Sequence, residues 1–484
     1  MAWAATCAAA PVVAAVLGLL PMPVRLRESV TILAALVTAA AAAALVVQDH
    51  LPVRALGDTL YVDGLGLVLV VTVALVYLVA SIYAAGYFDY ERGHRGFRVY
   101  SRRFHLLFNV FAATLFWVPL TGNLMLLWAA VEATTVTSAL LVGLERSGAA
   151  AEAAWKYILI ASSGLLLGLL GLMLLYFSAS GPLGTHFNPT FPALLDAASQ
   201  LSVPAVTGAF ALVVLGFGTK AGLFPMHTWL PDAHSEGPTP VSAMLSGALL
   251  SDAMYAIFRV LPIATGAAGP TVPRGLLFGF GAASMALAGL FALRQVNLKR
   301  LYAYSSIEHM GILALGVAFA SPVALYGVML HVVAHGATKA LAFFGAGSVR
   351  QRFGGGDQRS VTGLGSLMPA TAAFLLIGAF AISAVPPAAL FRSELTILLG
   401  GAQQGMLAFG AVLLVFANLV FLGALRMVNR MTFSEAKPEA PRGESSRTMV
   451  LAMALAAIPA IGLAFWIPAP LDHVFVEAAR VVGR

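Results

Sequence analysis

The sequence predicts an all-α polytopic membrane protein of about fourteen transmembrane helices, arranged as two inverted five-helix repeats with two discontinuous helices. Three observations carry that prediction. First, 60% of the residues are apolar and 10% are charged, with a mean hydropathy of +0.89, whereas a soluble domain carries about 25% charged residues. Second, windows of ~20 mostly apolar residues, long enough to cross a bilayer, recur along the whole chain. Lipid offers no partner to a backbone N–H or C=O, so each window must close its hydrogen bonds internally as a helix. Third, prolines interrupt two windows that lie five spans apart.

The elements follow in order. Spans 1 to 3 are expected near 3–22, 30–48 and 64–86, forming an N-terminal group within 1–100. The segment from Met1 to Pro21 has no basic region at its start, so it reads as a span and not as a cleaved signal. Spans 4 to 8 fall near 104–121, 123–144, 155–178, 203–223 and 238–263, making a first repeat over 104–263. Spans 9 to 13 fall near 272–293, 300–320, 322–349, 366–400 and 405–428, making a second repeat over 272–430. A polar loop and a last span near 448–468 complete 431–484, and the whole of 1–484 is one membrane domain.

Charge sorts the loops. Arg25 and Arg27, "YERGHRGFRVYSRR" (90–103), Arg146, "RQVNLKR" (294–300), "RQRFGGGDQR" (350–359) and the 426–447 stretch all fall on one side and hold most of the 28 Lys and Arg residues. Basic loops stay inside, which places both termini on the outer side of a bacterial or archaeal cytoplasmic membrane. The formal charge of +7 therefore reports orientation and not nucleic-acid binding. A single cysteine, Cys7, excludes an internal disulfide and a cysteine metal cluster.

Pro225, after "TKAGLF", ends span 7, and "AVPPAALF" (384–391) breaks span 12. Each break frees backbone groups that lipid cannot satisfy. Broken helices at corresponding places in two halves mark an inverted repeat with an ion path.

A charge at mid-bilayer costs about 2.5–3.5 kcal/mol on insertion scales, and this chain carries many: Glu132, Lys156, Lys220, Asp252, Glu308, His309, His331, His335, Lys339 and Glu394. They must face protein or water. Plainer readings stand beside the functional one. Lys156 and Arg259 sit near helix ends and can snorkel; Asp252 can be a structural partner of a base; His227 and His234 can be loop hydrogen-bonders; the remaining acids and bases can be static ion pairs. The H-x3-H spacing of His331 and His335 suits a metal, but no cysteine or acid accompanies it locally, and no metal is expected. "GGG" at 354–356 lacks the strand and helix of a phosphate loop. The five-helix repeat sets Glu132 opposite Glu308, Lys156 against span 11, and Lys220 against Glu394. Gly336, between His335 and Lys339, is expected to make room for bridging water.

Three long blocks resemble a known family. "KAGLFPMHTWLPDAHSEGPTPVSAML" (220–245), "NLKRLYAYSSIEHMGI" (297–312) and "HVVAHGATKALAFFGAGSV" (331–349) are similar to the antiporter-like subunits of respiratory complex I, group 4 hydrogenases and Mrp antiporters. The likeness covers about residues 60 to 430. "WAAVEATTVTSALLVG", "EAAWKYILIASSG" and "YSSIEHMG" look most like the F-type membrane subunit of hydrogenase-4. The resemblance implies fourteen core helices with inverted repeats over spans 4–8 and 9–13. It carries the span 5 glutamate onto Glu132, the span 7 lysine onto Lys220, the span 11 histidines and lysine onto His331, His335 and Lys339, and the span 12 terminal acid onto Glu394. One position departs: the span 8 base of many relatives falls on Ser251, beside Asp252.

The resulting expectation is a proton-translocating subunit of a redox complex of the hydrogenase-4 or complex I kind. The proton path runs through Glu132, Lys220, His331, His335, Lys339 and Glu394, with Lys156, Ser251, Asp252, Glu308 and His309 as auxiliary groups and Glu132 paired to Lys220. Expected partners are other antiporter-like membrane subunits, a peripheral hydrogenase or Fe–S module, and lipid; nucleic acid is not one. The chain is expected to hold no cofactor and to catalyse nothing alone. Two alternatives are an Mrp-type Na+/H+ antiporter subunit and a membrane subunit energising inorganic-carbon uptake.

Overall fold

A computed structural model describes residues 1–48, 50–89, 96–145, 147–436 and 442–484, without the side chains of 407–409. Residues 90–95 and Arg146, part of the basic side read from the loops, lie outside the described residues.

The chain is helical almost throughout. α1 (Ala2–Gly18), α2 (Val24–Val47), α3 (Gly64–Tyr87), α4 (Phe97–Leu120), α5 (Leu124–Val142) and α6 (Gly148–Leu183) lead the fold. A short α7 (Phe191–Asp196) then precedes α8 (Val203–Ala221), α9 (Leu230–Glu236), α10 (Thr239–Met244) and α11 (Leu250–Ala268). Next come α12 (Thr271–Ala292), α13 (Leu298–Phe319), α14 (Pro322–Phe353), the short α15 (Leu364–Leu367), α16 (Pro369–Ile382) and α17 (Ala389–Gln403). α18 (Leu407–Phe433), α19 (Arg447–Phe465) and α20 (Ala469–Val482) close the chain. A π-helical turn, Leu245–Leu249, joins α10 to α11. One small hairpin interrupts the all-helical expectation: β1 (Val53–Ala55) pairs antiparallel with β2 (Leu60–Val62).

Side-chain caps start several helices where the sequence changes from polar to apolar. Asn123 accepts from the backbone N–H groups of Met125 and Leu126 at 2.8 and 3.1 Å at the start of α5. Asn297 and Ser321 do the same for α13 and α14. Asp63 caps α3 through Gly66 and also takes Arg259 of α11 in a two-pronged pair, both contacts 2.6 Å. Arg259 is thus buried and bonded, and does not snorkel. Burial pushes the Asp63 carboxyl up, but Arg259 outweighs it and holds the group below the usual carboxylate range.

Both expected breaks are present. α8 ends at Gly222, whose φ of 77° suits a residue without Cβ, and 222–229 separate it from α9. Residues 383–388 separate α16 from α17. Each break contains a cis proline bond, Phe224–Pro225 and Pro386–Pro387.

Among the described residues, eleven helices are long and apolar enough to span a membrane, fewer than the fourteen expected. α1 and α16 are apolar but shorter, at 17 and 14 residues. α13 falls outside because Lys299, Arg300, Glu308 and His309 lower its hydropathy. Burial explains this. The apolar windows of Thr239–Ala268 and α14 are 100% covered by protein, whereas that of α6 is 39% covered. The least apolar helices sit at the centre, because only there do polar side chains find partners.

Two further differences concern the ends of elements. The 431–484 segment holds α20 in addition to its span; this amphipathic helix buries Val474, Phe475, Ala478, Ala479 and Val482 against α3, α14 and α11. Gly336 makes room for a helix and not for water: a Cβ there would meet Thr72 Cγ2 at 2.8 Å and Gly247 O at 3.2 Å. The π turn of Gly247, α14 and α3 cross at that point.

Candidate functional site

The ionisable residues gather along the buried centre. Lys220, in the last turn of α8, is fully buried, and its Nζ donates to Thr135 Oγ1 at 2.8 Å and to Tyr157 OH at 2.5 Å. Tyr157 OH also meets Ser138 Oγ at 2.7 Å. Trp229, in the first break, stacks on the Tyr157 ring at 4.3 Å and donates its Nε1–H to Thr219 O. The unwound segment therefore packs directly behind the lysine's partner.

Glu132 does not touch Lys220, contrary to the expected pair. Its Oε1 accepts from Ser162 Oγ at 2.6 Å, and its Oε2 is buried with no partner. The carboxylate of a residue one helical turn before Thr135 turns toward α6 because Ser162 is there. Its charge still acts on Lys220, as does that of Asp252.

Lys156 leaves the row. It is 47% exposed, bonded to Glu152 and Asp232 at 2.5 and 3.4 Å, and Asp232 is shared with Arg300 at 2.9 Å. Successive helical residues point about 100° apart, so Lys156 faces outward while its neighbour Tyr157 faces Lys220. The sequence singled out the charge and missed the phenol.

Asp252 and Ser251, on α11 just past the π turn, are buried with no hydrogen-bond partner on either carboxylate oxygen or the hydroxyl. The direct link to α13 comes earlier, inside the π turn, where Ser246 Oγ meets Ser306 Oγ at 2.8 Å.

Beyond that link, Lys339 of α14 mirrors Lys220. It is fully buried, and its Nζ donates to Tyr302 O at 3.0 Å and to Ser305 Oγ at 2.5 Å. Glu308, on the same helix as Tyr302 and Ser305, is buried with no ion-pair partner among the described residues. Glu308 Oε2, Thr338 Oγ1, Tyr302 OH and both ring nitrogens of His335 are buried without partners. Buried polar atoms are rarely left so; where protein supplies nothing, water does. His309 and His331 meet at 3.1 Å, and Glu394 lies 3.9 Å from His309. Those three donor atoms are within 4.8 Å of one another, near enough to share one cation. His234, read from the sequence as a loop hydrogen-bonder, is instead fully buried between Trp229 and Phe343 with neither ring nitrogen paired.

Eight of the eleven singled-out residues thus line the buried interior as full members: Lys220, Ser251, Asp252, Glu308, His309, His331, His335 and Lys339 are all at most 2% exposed. Glu394 is 6% exposed at the second break, Glu132 is partly buried, and Lys156 is outside. Thr135, Ser138, Tyr157, Ser305 and Ser393 complete the contacts. Only the three-residue spacing of Thr135 and Ser138, one helical face, foreshadowed any of them.

A multi-pass fold with two broken helices and acids and bases threaded through its interior is the architecture of ion-moving membrane proteins. The chain belongs to the NADH:quinone oxidoreductase/Mrp antiporter transmembrane family, whose pattern matches residues 121–423. All three blocks that carry the resemblance fall within that stretch. It is 34% identical over 406 residues to the hydrogenase-4 component F homolog of Methylacidiphilum infernorum, covering 82% of this chain and 83% of that one. It is 32% identical over 375 residues to NADH-quinone oxidoreductase subunit N of Desulforudis audaxviator, covering 77% and 72%. A chain of the membrane-bound sulfane sulfur reductase, an archaeal respiratory membrane complex, superposes with a TM-score of 0.87 at 25% identity, covering 99% and 97%. The protein is an antiporter-like membrane subunit, and proton translocation is what that membership implies.

Proposed function

We propose that this chain moves protons across a bacterial or archaeal cytoplasmic membrane, driven by electron transfer in partner subunits of a hydrogenase-4-like or complex I-like assembly. The observation that carries the reading is the pair of fully buried lysines, Lys220 and Lys339, each held by hydroxyl or carbonyl oxygens and neither in contact with a carboxylate among the described residues. An ion pair made for stability would be in contact. A separated pair leaves each lysine free to give up and regain a proton.

In this reading Lys220 loads from one side of the membrane. Asp252 and the Ser246–Ser306 contact carry the connection to the second half, Lys339 and His335 form its middle, and Glu394 lies at the outlet beside the second break. The two five-helix units act as two half-channels. Moving one proton against 100 mV requires about 2.3 kcal/mol. The energy source is a peripheral redox module, coupled through neighbouring antiporter-like subunits.

The test is Lys220→Ala in the native complex, assayed in vesicles for proton uptake driven by the electron donor. Pumping is expected to fall below about a tenth of wild type while the chain still co-purifies with its partners. Wild-type pumping by the variant would overturn the reading. Sodium movement without any redox donor would transfer the chain to the Na+/H+ antiporter class.

A further inference from the structure

We propose that His309, His331 and Glu394 form a binding site for a divalent transition-metal ion of the zinc type, beside the break between α16 and α17. Three helices, α13, α14 and α17, each bring one donor, and the donor atoms lie within 4.8 Å of one another.

The hydrogen-bond partners determine which nitrogens are free to ligate. His309 Nε2 lies 3.1 Å from the carbonyl of Ile382, which can only accept, so the ring hydrogen is on Nε2. Ser393 has one hydroxyl hydrogen, and the carbonyl of Leu390, 2.8 Å away, can only accept it. With the hydroxyl turned to Leu390, the contact of 3.0 Å between Ser393 Oγ and His331 Nδ1 is made by the ring hydrogen of His331. A neutral imidazole carries one N–H. In that tautomer His309 Nδ1 and His331 Nε2 both present lone pairs, and they face each other at 3.1 Å. Two lone pairs at that distance repel unless a shared proton or a metal ion sits between them.

The same arrangement is what metal-ligating histidines need: the far nitrogen of each ring tied to a carbonyl or hydroxyl, the near one exposed to the ion. Zinc–nitrogen bonds of about 2.0–2.1 Å at tetrahedral angles set neighbouring ligand atoms about 3.3 Å apart. The 3.1 Å between nitrogens and the 3.9 Å from His309 Nδ1 to Glu394 Oε1 bracket that value. His335 stands by as a fourth donor; its ring centre is 5.2 Å from that of His309 and 6.2 Å from that of His331, and neither of its nitrogens is engaged. A cavity of about 250 Å³ lined by Ser383, Pro386, Glu394 and Asn418 reaches the carboxylate from the break, which supplies a way in.

A bound ion would fill the place where the two histidines could otherwise share a proton, and so close the row between Lys339 and Glu394. Binding itself does not depend on the proton reading and can be measured without turnover. The complex, purified through a tag on this chain and stripped with chelator, is titrated with ZnCl2 against a chromophoric chelator. Wild type is expected to hold one zinc ion per chain more than the His309→Ala/Glu394→Gln double variant, with Glu394→Gln alone weakening that ion on the order of 100-fold. X-ray absorption of the added zinc should show histidine nitrogens at about 2.0–2.1 Å. Equal stoichiometry and affinity in wild type and variants would overturn the proposal, and so would a zinc shell of sulfur or of oxygens alone in the wild-type protein. Loss of proton pumping in Lys220→Ala with no zinc bound at the histidines would retain the functional reading and reject this one.

Discussion

At the scale of single residues, the informative pair is Lys156 and Tyr157. They are adjacent in sequence and about 100° apart around α6. Lys156 belongs to an exposed ion cluster, which contributes little, while Tyr157 holds Lys220 from inside. Tyr157→Phe is expected to lower donor-driven proton pumping about tenfold, since a charge-assisted hydrogen bond is worth roughly 1.5–3 kcal/mol. Lys156→Ala should leave pumping within about twofold, and the same vesicle assay decides both. The reverse order of effects would restore Lys156 to the path. The charged residues of the row were legible in the sequence because a charge in an apolar window is conspicuous. Their hydroxyl partners were not. Thr135, Ser138, Ser305 and Ser393 are ordinary in membrane helices, and only the packing of α5, α6 and α8, or of α13, α14 and α17, reveals which of them face a lysine or a histidine. The expected Glu132–Lys220 contact failed for the same reason: nothing in the sequence showed Ser162 competing for the carboxylate.

Among elements, the breaks were read correctly because proline removes a donor and clashes with the preceding turn, an effect local enough to see in one segment. The π turn was not, since it depends on how α10, α11 and α14 meet. The crossing at Gly336 and Gly247 shows how tightly they do. Gly336→Ala would drive a methyl to 2.8 Å from Thr72 Cγ2, a contact that must give way. It is expected to destabilise the fold by about 1–3 kcal/mol, the usual range for overpacking, and to lower the melting temperature of the purified complex. Combining it with Thr72→Ser removes the opposing methyl and should restore most of the loss. No loss in Gly336→Ala alone would mean that α3 and α14 are looser than their packing indicates.

For the whole molecule, hydropathy identified the helices but not their layering. The two windows wholly covered by protein, Thr239–Ala268 and α14, are among the less apolar ones, while α3, the most apolar, is itself largely covered, so hydropathy alone does not rank depth and the central pair had to be recognised from their polar residues. The length of α14 separates two groups of residues. Its 32 residues span about 48 Å, with Tyr326 near one end bonded to Asp472 of α20 and Arg359 beyond the other. The two ends therefore belong to opposite faces of the membrane. Cys7, the single cysteine, is buried, so an introduced thiol can be read without background. An impermeant maleimide applied to intact cells should label Arg484→Cys and spare Arg359→Cys until the membrane is opened. The opposite pattern would invert the orientation expected from the basic loops.

The π turn at Leu245–Leu249 has a mechanical consequence. Such a turn winds one residue more than an α turn does, so the helix carries a surplus residue with no fixed address. Were that surplus to slip one turn toward the C-terminus, every side chain it passed would rotate by about 100°. Ser251 and Asp252 are the first polar residues in its way, directly after Leu250. The central helix is in that sense geared: a small axial slip at Gly247 becomes a large swing of a carboxylate, with no bond broken at either end.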